Sequence, residues 1–194
     1  MRKFSGDEII IATHNRGKLI EFQKLLSPYI ANISSAADHH LPEPDETGKT
    51  FHENAAIKAL AAAKATGIPA LADDSGLWVD ALNGAPGIYS ARWAPNKNYQ
   101  TAIDRIFLEL GGKPARAEFI CVLTLAWPDG ETIYAEGRCS GILLPAPRGA
   151  DGFGYDPYFV PDNYDKTFAE LGPAIKDQIS HRALAFKNLI AKYF

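Results

Sequence analysis

Residues Ala117 to Trp127 (Ala-Glu-Phe-Ile-Cys-Val-Leu-Thr-Leu-Ala-Trp) form the strongest strand signal in the chain, and it is apolar on both faces. A strand with one wet side alternates apolar and polar residues, so a run with no polar side needs a layer over each face of its sheet. Pro128-Asp129-Gly130 then turns the chain, and Thr132 to Leu144, interrupted by glycines, returns as a hairpin partner. Glu8 to Thr13 is a second, shorter run of the same buried kind.

The covering layers are readable as helices. Leu19, Phe22, Leu25 and Leu26 recur at helical spacing until Pro28 stops the pattern. Thr50-Phe51-His52-Glu53 fits a capping box, with Thr capping and Glu reaching back, and the Ala-rich segment to Ala65 continues as a helix ended by Gly67 and Pro69. A third helix runs from Tyr99 to Leu110 before Gly111-Gly112, and a C-terminal one opens at Ser180 with Ile179, Ala183, Phe186 and Ile190 on one face. Residues 31–49 are polar and turn-rich and read as a mobile loop. The order is mixed α and β without repeats or linkers. It predicts a single domain over residues 1–194, with a central mixed sheet flanked by helices and two lobes around a cleft.

Composition narrows the function classes. The 194 residues are 46% hydrophobic and carry a net charge of −3, without a Lys/Arg block, which is no footprint for gripping a nucleic-acid polymer. No apolar run approaches the ~18 residues that span a bilayer, and no cleavable leader is evident, so the chain reads as cytoplasmic with no membrane partner. Cys121 and Cys139 lack metal-ligand spacing and read as buried free thiols.

The chemistry-bearing residues lie between these elements. The first strand feeds His14-Asn15-Arg16-Gly17-Lys18, a polar loop opening a helix. Unpaired N–H groups and the positive end of the helix dipole make such a place a seat for phosphate. It is not a Walker A loop, because Leu19 follows Lys18 and no upstream glycine has the required spacing. Glu46 precedes the Ala-rich helix and Lys58 lies within it, where a lysine ordinarily faces solvent. Ala72-Asp73-Asp74-Ser75-Gly76 can be read as a turn with Gly76 at positive φ. It can also be read as two carboxylates interrupting core sequence, one to meet a metal or water and one to organise it. Arg148 to Tyr158 is rich in glycines and aromatics, suiting close backbone approach and stacking on a flat ligand. Lys176, His181 and Arg182 bring cations to the last helix, where an anionic neighbour would offset the unfavourable dipole. Carboxylates for a divalent cation, cations for phosphate oxygens and an aromatic for a base are the parts of a nucleotide phosphohydrolase. A binding module without turnover would keep the phosphate loop but would not need the paired carboxylates.

Six segments in order make the chain resemble the inosine triphosphate pyrophosphatase family, enzymes that hydrolyse non-standard purine nucleoside triphosphates. They are Thr13-x-Asn15-x-x-Lys18; Glu46-Thr47-Gly48-x-Thr50-Phe51-x-Glu53-Asn54-Ala55; Ala72 to Leu77; Gly84 to Arg92; Gly152-Phe153-Gly154-Tyr155-Asp156-Pro157; and Ser180-His181-Arg182. The resemblance implies an elongated α/β fold with a cleft between two lobes, usually a homodimer. It also implies Mg²⁺-dependent hydrolysis of ITP, dITP and XTP to the monophosphate and pyrophosphate. By position, Thr13, Asn15, Arg16, Gly17 and Lys18 would bind the triphosphate, with His14 in the same loop but without a chemical role of its own. Glu46 and Asp74 would hold Mg²⁺, Asp74 would take the proton from water, Asp73 would support it, and Lys58 would neutralise phosphate charge. Ser75 would contact substrate, and Phe153 would stack on the base within the loop of Gly154, Tyr155 and Asp156. Lys176, His181 and Arg182 would recognise base and sugar-phosphate. The turn at Asp73–Gly76 would bring both carboxylates to the cleft. Donors such as Arg182 facing the purine carbonyl would reject adenine, which presents an amine there and would strand them.

Overall fold

The structure, a computed structural model, describes residues 2–194. Six strands form one mixed sheet: β1 Glu8–Ile11, β2 Asn32–Ser35, β3 Ala70–Val79, β4 Ala115–Ala126, β5 Thr132–Leu143 and β6 Phe159–Pro161, in the order β2-β1-β3-β4-β5-β6. β1 runs parallel to β2 and to β3, whereas β6 is antiparallel to β5. The helices are α1 Arg16–Leu26, α2 Phe51–Thr66, α3 Tyr99–Glu109, α4 Phe168–Leu171, α5 Pro173–Ile179 and α6 His181–Tyr193. The α/β class and the sheet flanked by helices are as the sequence predicts.

The chain divides into two compact units. One runs to Asp74 and takes in Cys121–Glu136 and Ala185–Phe194; the other comprises Ser75–Ile120 and Gly137–Leu184. In the first, strand alternation sorts the core into two layers. Ile9, Ile11 and Leu71 pack with Phe22 and Leu26 of α1 and with Phe186 and Leu189 of α6. Their neighbours Ile10, Ala70 and Ala72 pack instead with Ala59, Ala62 and Ala63 of α2. The alanines let α2 lie close to the strands, and they explain why this helix is Ala-rich where a longer side chain would hold it off. The second unit has its own core, in which Leu77 and Val79 of β3 meet Ile103, Ile106 and Phe107 of α3, together with Phe119, Phe159 and Phe168. Cys121 and Cys139 are buried free thiols, one in each core. Burial, with Asp162 and Glu118 nearby, pushes the Cys139 thiol up to about 12, which leaves it protonated and inert.

Several expectations give way. The stretch Asp73–Gly76 is not a turn: it lies inside the continuous β3, and Gly76 does not take a positive φ. Strand pairing on both sides and partners for the acids override the local turn preference of Asp, Ser and Gly. The polar stretch 31–49 contains β2, an edge strand with largely accessible side chains that carries no apolar signature. At α2, Thr50 Oγ1 accepts from Glu53 N at 3.1 Å, but Glu53 returns to Lys49 N rather than to the cap residue. The complete reciprocal box is found at Thr167 and Glu170, opening α4.

Candidate active site

β3 alternation decides where the two adjacent acids go. Leu71 belongs to the α1 and α6 layer and Ala72 to the α2 layer, so Asp73 and Asp74 continue to opposite faces. Asp73 is buried and its Oδ2 lies 2.9 Å from Lys18 Nζ of α1. Asp74, also buried, meets α2: Asn54 Nδ2 donates to Asp74 Oδ2 at 3.2 Å, and Lys58 Nζ lies 3.7 Å from Asp74 Oδ1. Lys58 donates in turn to Glu46 Oε1 at 2.6 Å. Asn54 and Lys58 are four residues apart on one helix, hence on one face. Lys58 is only 8% exposed, which removes the reading of it as a solvated lysine.

The electrostatics of this cluster are not neutral in effect. Burial is the largest influence on Asp74 and raises its carboxyl to about 6, with the charge of Glu46 adding and Lys58, Lys18 and the Asn54 hydrogen bond opposing. Burial by itself would lower the Lys58 ammonium, but Asp73, Asp74 and Glu46 outweigh it and hold it above its usual range. A carboxylate titrating near neutrality can both exist ionised and accept a proton. Among the described residues no three or more His, Cys, Asp or Glu side chains group as a metal site. The oxygens available at Lys58 are those of Glu46 and Asp74. Two hard carboxylates suit a cation such as Mg²⁺, which keeps several waters and takes further oxygens from phosphates.

The phosphate loop differs from its expected form. α1 begins at Arg16, so Gly17 and Lys18 are first-turn residues, and both of their amides donate to Asn15 Oδ1, at 2.9 and 3.2 Å. Thr13 Oγ1 accepts from Asn15 N at 3.2 Å, and His14 Nε2 lies 3.0 Å from Leu41 O. The amides expected to await phosphate are therefore capped internally, and a ligand there would exchange with the Asn15 carbonyl. Arg16 is exposed, and Lys18 is shared with Asp73.

A second group lies in the other unit. Asp156 Oδ2 accepts from Lys176 Nζ at 2.7 Å and from Phe153 N at 2.8 Å. Lys176 also sits 4.4 Å from the centre of the Phe153 ring, which remains 39% exposed. One buried ion pair thus fixes both the backbone and one face of an accessible aromatic ring. Gly152 and Gly154 bracket this residue with positive φ, the conformation the tight loop needs. Tyr155 points inward and donates to Ser90 O at 2.7 Å. His181 is buried in a stack on Phe119, with centroids 4.8 Å apart, and Arg182 Nη2 makes a long 3.5 Å contact with Ser75 Oγ. The expected cap is present: Ser180 Oγ accepts from Ala183 N at 3.2 Å.

The structure therefore brings Lys18, Glu46, Lys58, Asp73 and Asp74 together in one unit. In the other, Phe153, Asp156 and Lys176 form a cluster, while Arg182 touches Ser75, His181 stacks on Phe119 and Tyr155 bonds to Ser90. The sequence places Asn54 in a family segment but assigns it no role. Its signal is a polar residue on the core-facing side of an alanine helix, four residues before Lys58.

Comparison with known proteins now places the chain. Residues 9–192 match the model of the Ham1 family. The chain belongs to the Ham1 family. It is 56% identical to the dITP/XTP pyrophosphatase of Rhodospirillum centenum, over all of this chain and 98% of that protein. It is 54% identical to the dITP/XTP pyrophosphatase of Gluconobacter oxydans, over 95% of this chain and 90% of the other. Among solved structures, it matches a HAM1 protein from Coxiella burnetii with a TM-score of 0.87 and 40% identity, covering 95% of this chain and 96% of that one. The Ham1 protein of Staphylococcus aureus matches with a TM-score of 0.84 and 43% identity, covering 95% and 96%.

Proposed function

We propose that this member of the Ham1 family is a dITP/XTP pyrophosphatase, a hydrolase of phosphoric anhydrides that converts non-standard purine nucleoside triphosphates to monophosphate and pyrophosphate. Relatives of that name at 56% and 54% identity over nearly the whole chain support the activity. The observation that carries the mechanism is Asp74, a buried carboxylate raised to about 6 between a lysine and an amide.

In this reading residues 1–194 act as a single nucleotide-hydrolysing domain. Lys18 and Lys58, with Thr13, Asn15 and the first turn of α1, take the triphosphate. Glu46 and Asp74 would hold Mg²⁺, whose charge would offset that of the phosphates and polarise their oxygens. Water opens the anhydride between the α- and β-phosphoryl groups, and one of its protons passes to Asp74. That transfer is favoured because the burial that costs the ionised acid is relieved when the proton arrives. Asp73, on the other face of β3, keeps Lys18 extended toward its own side. Phe153 stacks on the base, its ring held by Lys176 and Asp156. Arg182, with Ser75 and His181, supplies donors to the purine carbonyl, and adenine would leave such donors unpaired. The family resemblance also supports a homodimer, which light scattering would test. Among the described residues no helix is long and apolar enough to cross a membrane.

The deciding experiment is a nucleotide panel scored for pyrophosphate, with and without Mg²⁺. Stoichiometric pyrophosphate from dITP and XTP, with little from ATP, is expected. Orthophosphate as the first product would mean attack at the terminal phosphorus and would sink the assignment.

A further inference from the structure

We infer that Asn54 is a positioning residue for the proposed hydrolysis, holding Asp74 and the loop that carries Glu46 in fixed relation through one buried side-chain amide. The inference rests on the reading of Asp74 as the proton acceptor. Asn54 is completely buried, in the first turn of α2. Its Oδ1 accepts from Gly48 N at 2.8 Å, and its Nδ2 donates to Asp74 Oδ2 at 3.2 Å.

The chemistry leaves no freedom in this orientation. A backbone N–H can only donate, so Oδ1 has to face Gly48, and Nδ2, which can only donate, is left facing the carboxylate. The amide therefore presents a donor to Asp74 and supports its acceptor state. Gly48 is two residues after Glu46, so the same amide holds the loop bearing the second acid. Its fit to Gly48 is close: a Cβ there would lie 2.6 Å from Asn54 Oδ1 and 2.6 Å from Glu53 Cβ.

Lys58 and Asn54 thus make two different connections between the same partners. Lys58 joins Glu46 to Asp74 through charge and would be drawn upon by arriving phosphates. Asn54 is neutral, so phosphate does not compete for it. With Lys58 engaged by substrate, the amide still holds Asp74 Oδ2.

The test compares Asn54→Asp, Asn54→Ala and Gly48→Ala with wild type in dITP turnover with Mg²⁺, with thermal unfolding as a fold control. Asn54→Asp keeps an acceptor for Gly48 N–H but replaces the donor to Asp74 by a like charge. It should lower kcat about 100-fold with KM within about 3-fold, the size expected when a reacting group is misplaced by an ångström or less. Asn54→Ala should follow it. Gly48→Ala, which leaves both polar side chains intact but pushes on the amide, should lower kcat about 10-fold. Calorimetric binding of a non-hydrolysable dITP analogue without metal should be unchanged in all three. Folded Asn54→Asp and Asn54→Ala proteins with wild-type kcat, or variants that change only KM or only melting temperature, overturn the inference. An inactive wild type overturns the proposed function and this inference together; an active wild type with unaffected variants overturns this inference alone.

Discussion

The two charged clusters are built on the same motif, a buried lysine against buried acid, and behave differently. In one unit Lys176 pairs with Asp156, which also accepts from a backbone amide, and the lysine lies against a ring. In the other, Lys58 faces Glu46 and Asp74, with Asp73 acting on it as well, so three acids are set against Lys58 and Lys18. Burial raises Asp74 to about 6, and the charge of Glu46 adds to the rise. A buried pair gives rigidity, and a surplus of acids gives a group ready to take a proton or share a cation. In the proposed function the first arrangement positions a flat ligand and the second carries the chemistry.

The largest effect that would break this division is on turnover. Asp74→Asn, isosteric and neutral, should lower kcat for dITP about 1,000-fold, within the range for removing a general base, while circular dichroism shows an intact fold. Retained turnover would move the base elsewhere. Lys176→Met should act in the opposite manner. By leaving Asp156 buried without its cation it should cost about 3 kcal/mol of stability, measured by urea unfolding, because a stranded buried charge is penalised more than a pair is rewarded. If that variant loses activity at unchanged stability, Lys176 is a substrate group and not a support.

A pH series sharpens the contrast further. Because folding raises Asp74 from 3.8 to about 6, the folded protein retains a proton that the unfolded chain has released between those values. Stability of the metal-free protein should fall as pH rises from 4 to 6 by about 2 kcal/mol on account of this residue. Asp74→Asn lacks that titration, so at pH 7 it should be more stable than wild type while nearly inactive. Equal melting curves at pH 4 and 7 for the two proteins, relative to each other, would show that Asp74 is not raised. The smallest effect is at the exposed ring. Phe153→Ala should raise KM for dITP about 10-fold with kcat within about 2-fold, since a base–aromatic stack contributes about 1 to 3 kcal/mol. A fall in kcat with constant KM would give Phe153 a part in the chemical step.

Much of this was readable from residue order. β1 and β4 announced themselves by apolar runs, β5 as the returning arm of a hairpin, α1, α3 and α6 by apolar spacing, and α2 by its cap and its alanines. Those signals are local, since a strand buried on both faces or a helix buried on one writes its burial into its own sequence. β2, β6, α4 and α5 did not show, because they are short and owe their existence to a neighbour: β2 to pairing with β1, β6 to pairing with β5. Most candidate residues lie in the ordered family segments, whereas Lys58 and Lys176 lie between them. Asn54 stood in one of those segments without a role, because its value lies in two hydrogen bonds, to residues 6 and 20 positions away.

The sequence by itself determined the fold class, the family and the set of polar groups. Tertiary structure decided how those groups are shared out. Asp73-Asp74-Ser75-Gly76 has the composition of a turn, and adjacency alone suggests two acids acting side by side. Pairing within the sheet makes it strand instead, and a strand sends neighbours to opposite faces. One acid therefore meets Lys18 and the other meets Asn54 and Lys58, and burial raises the carboxyl of the second.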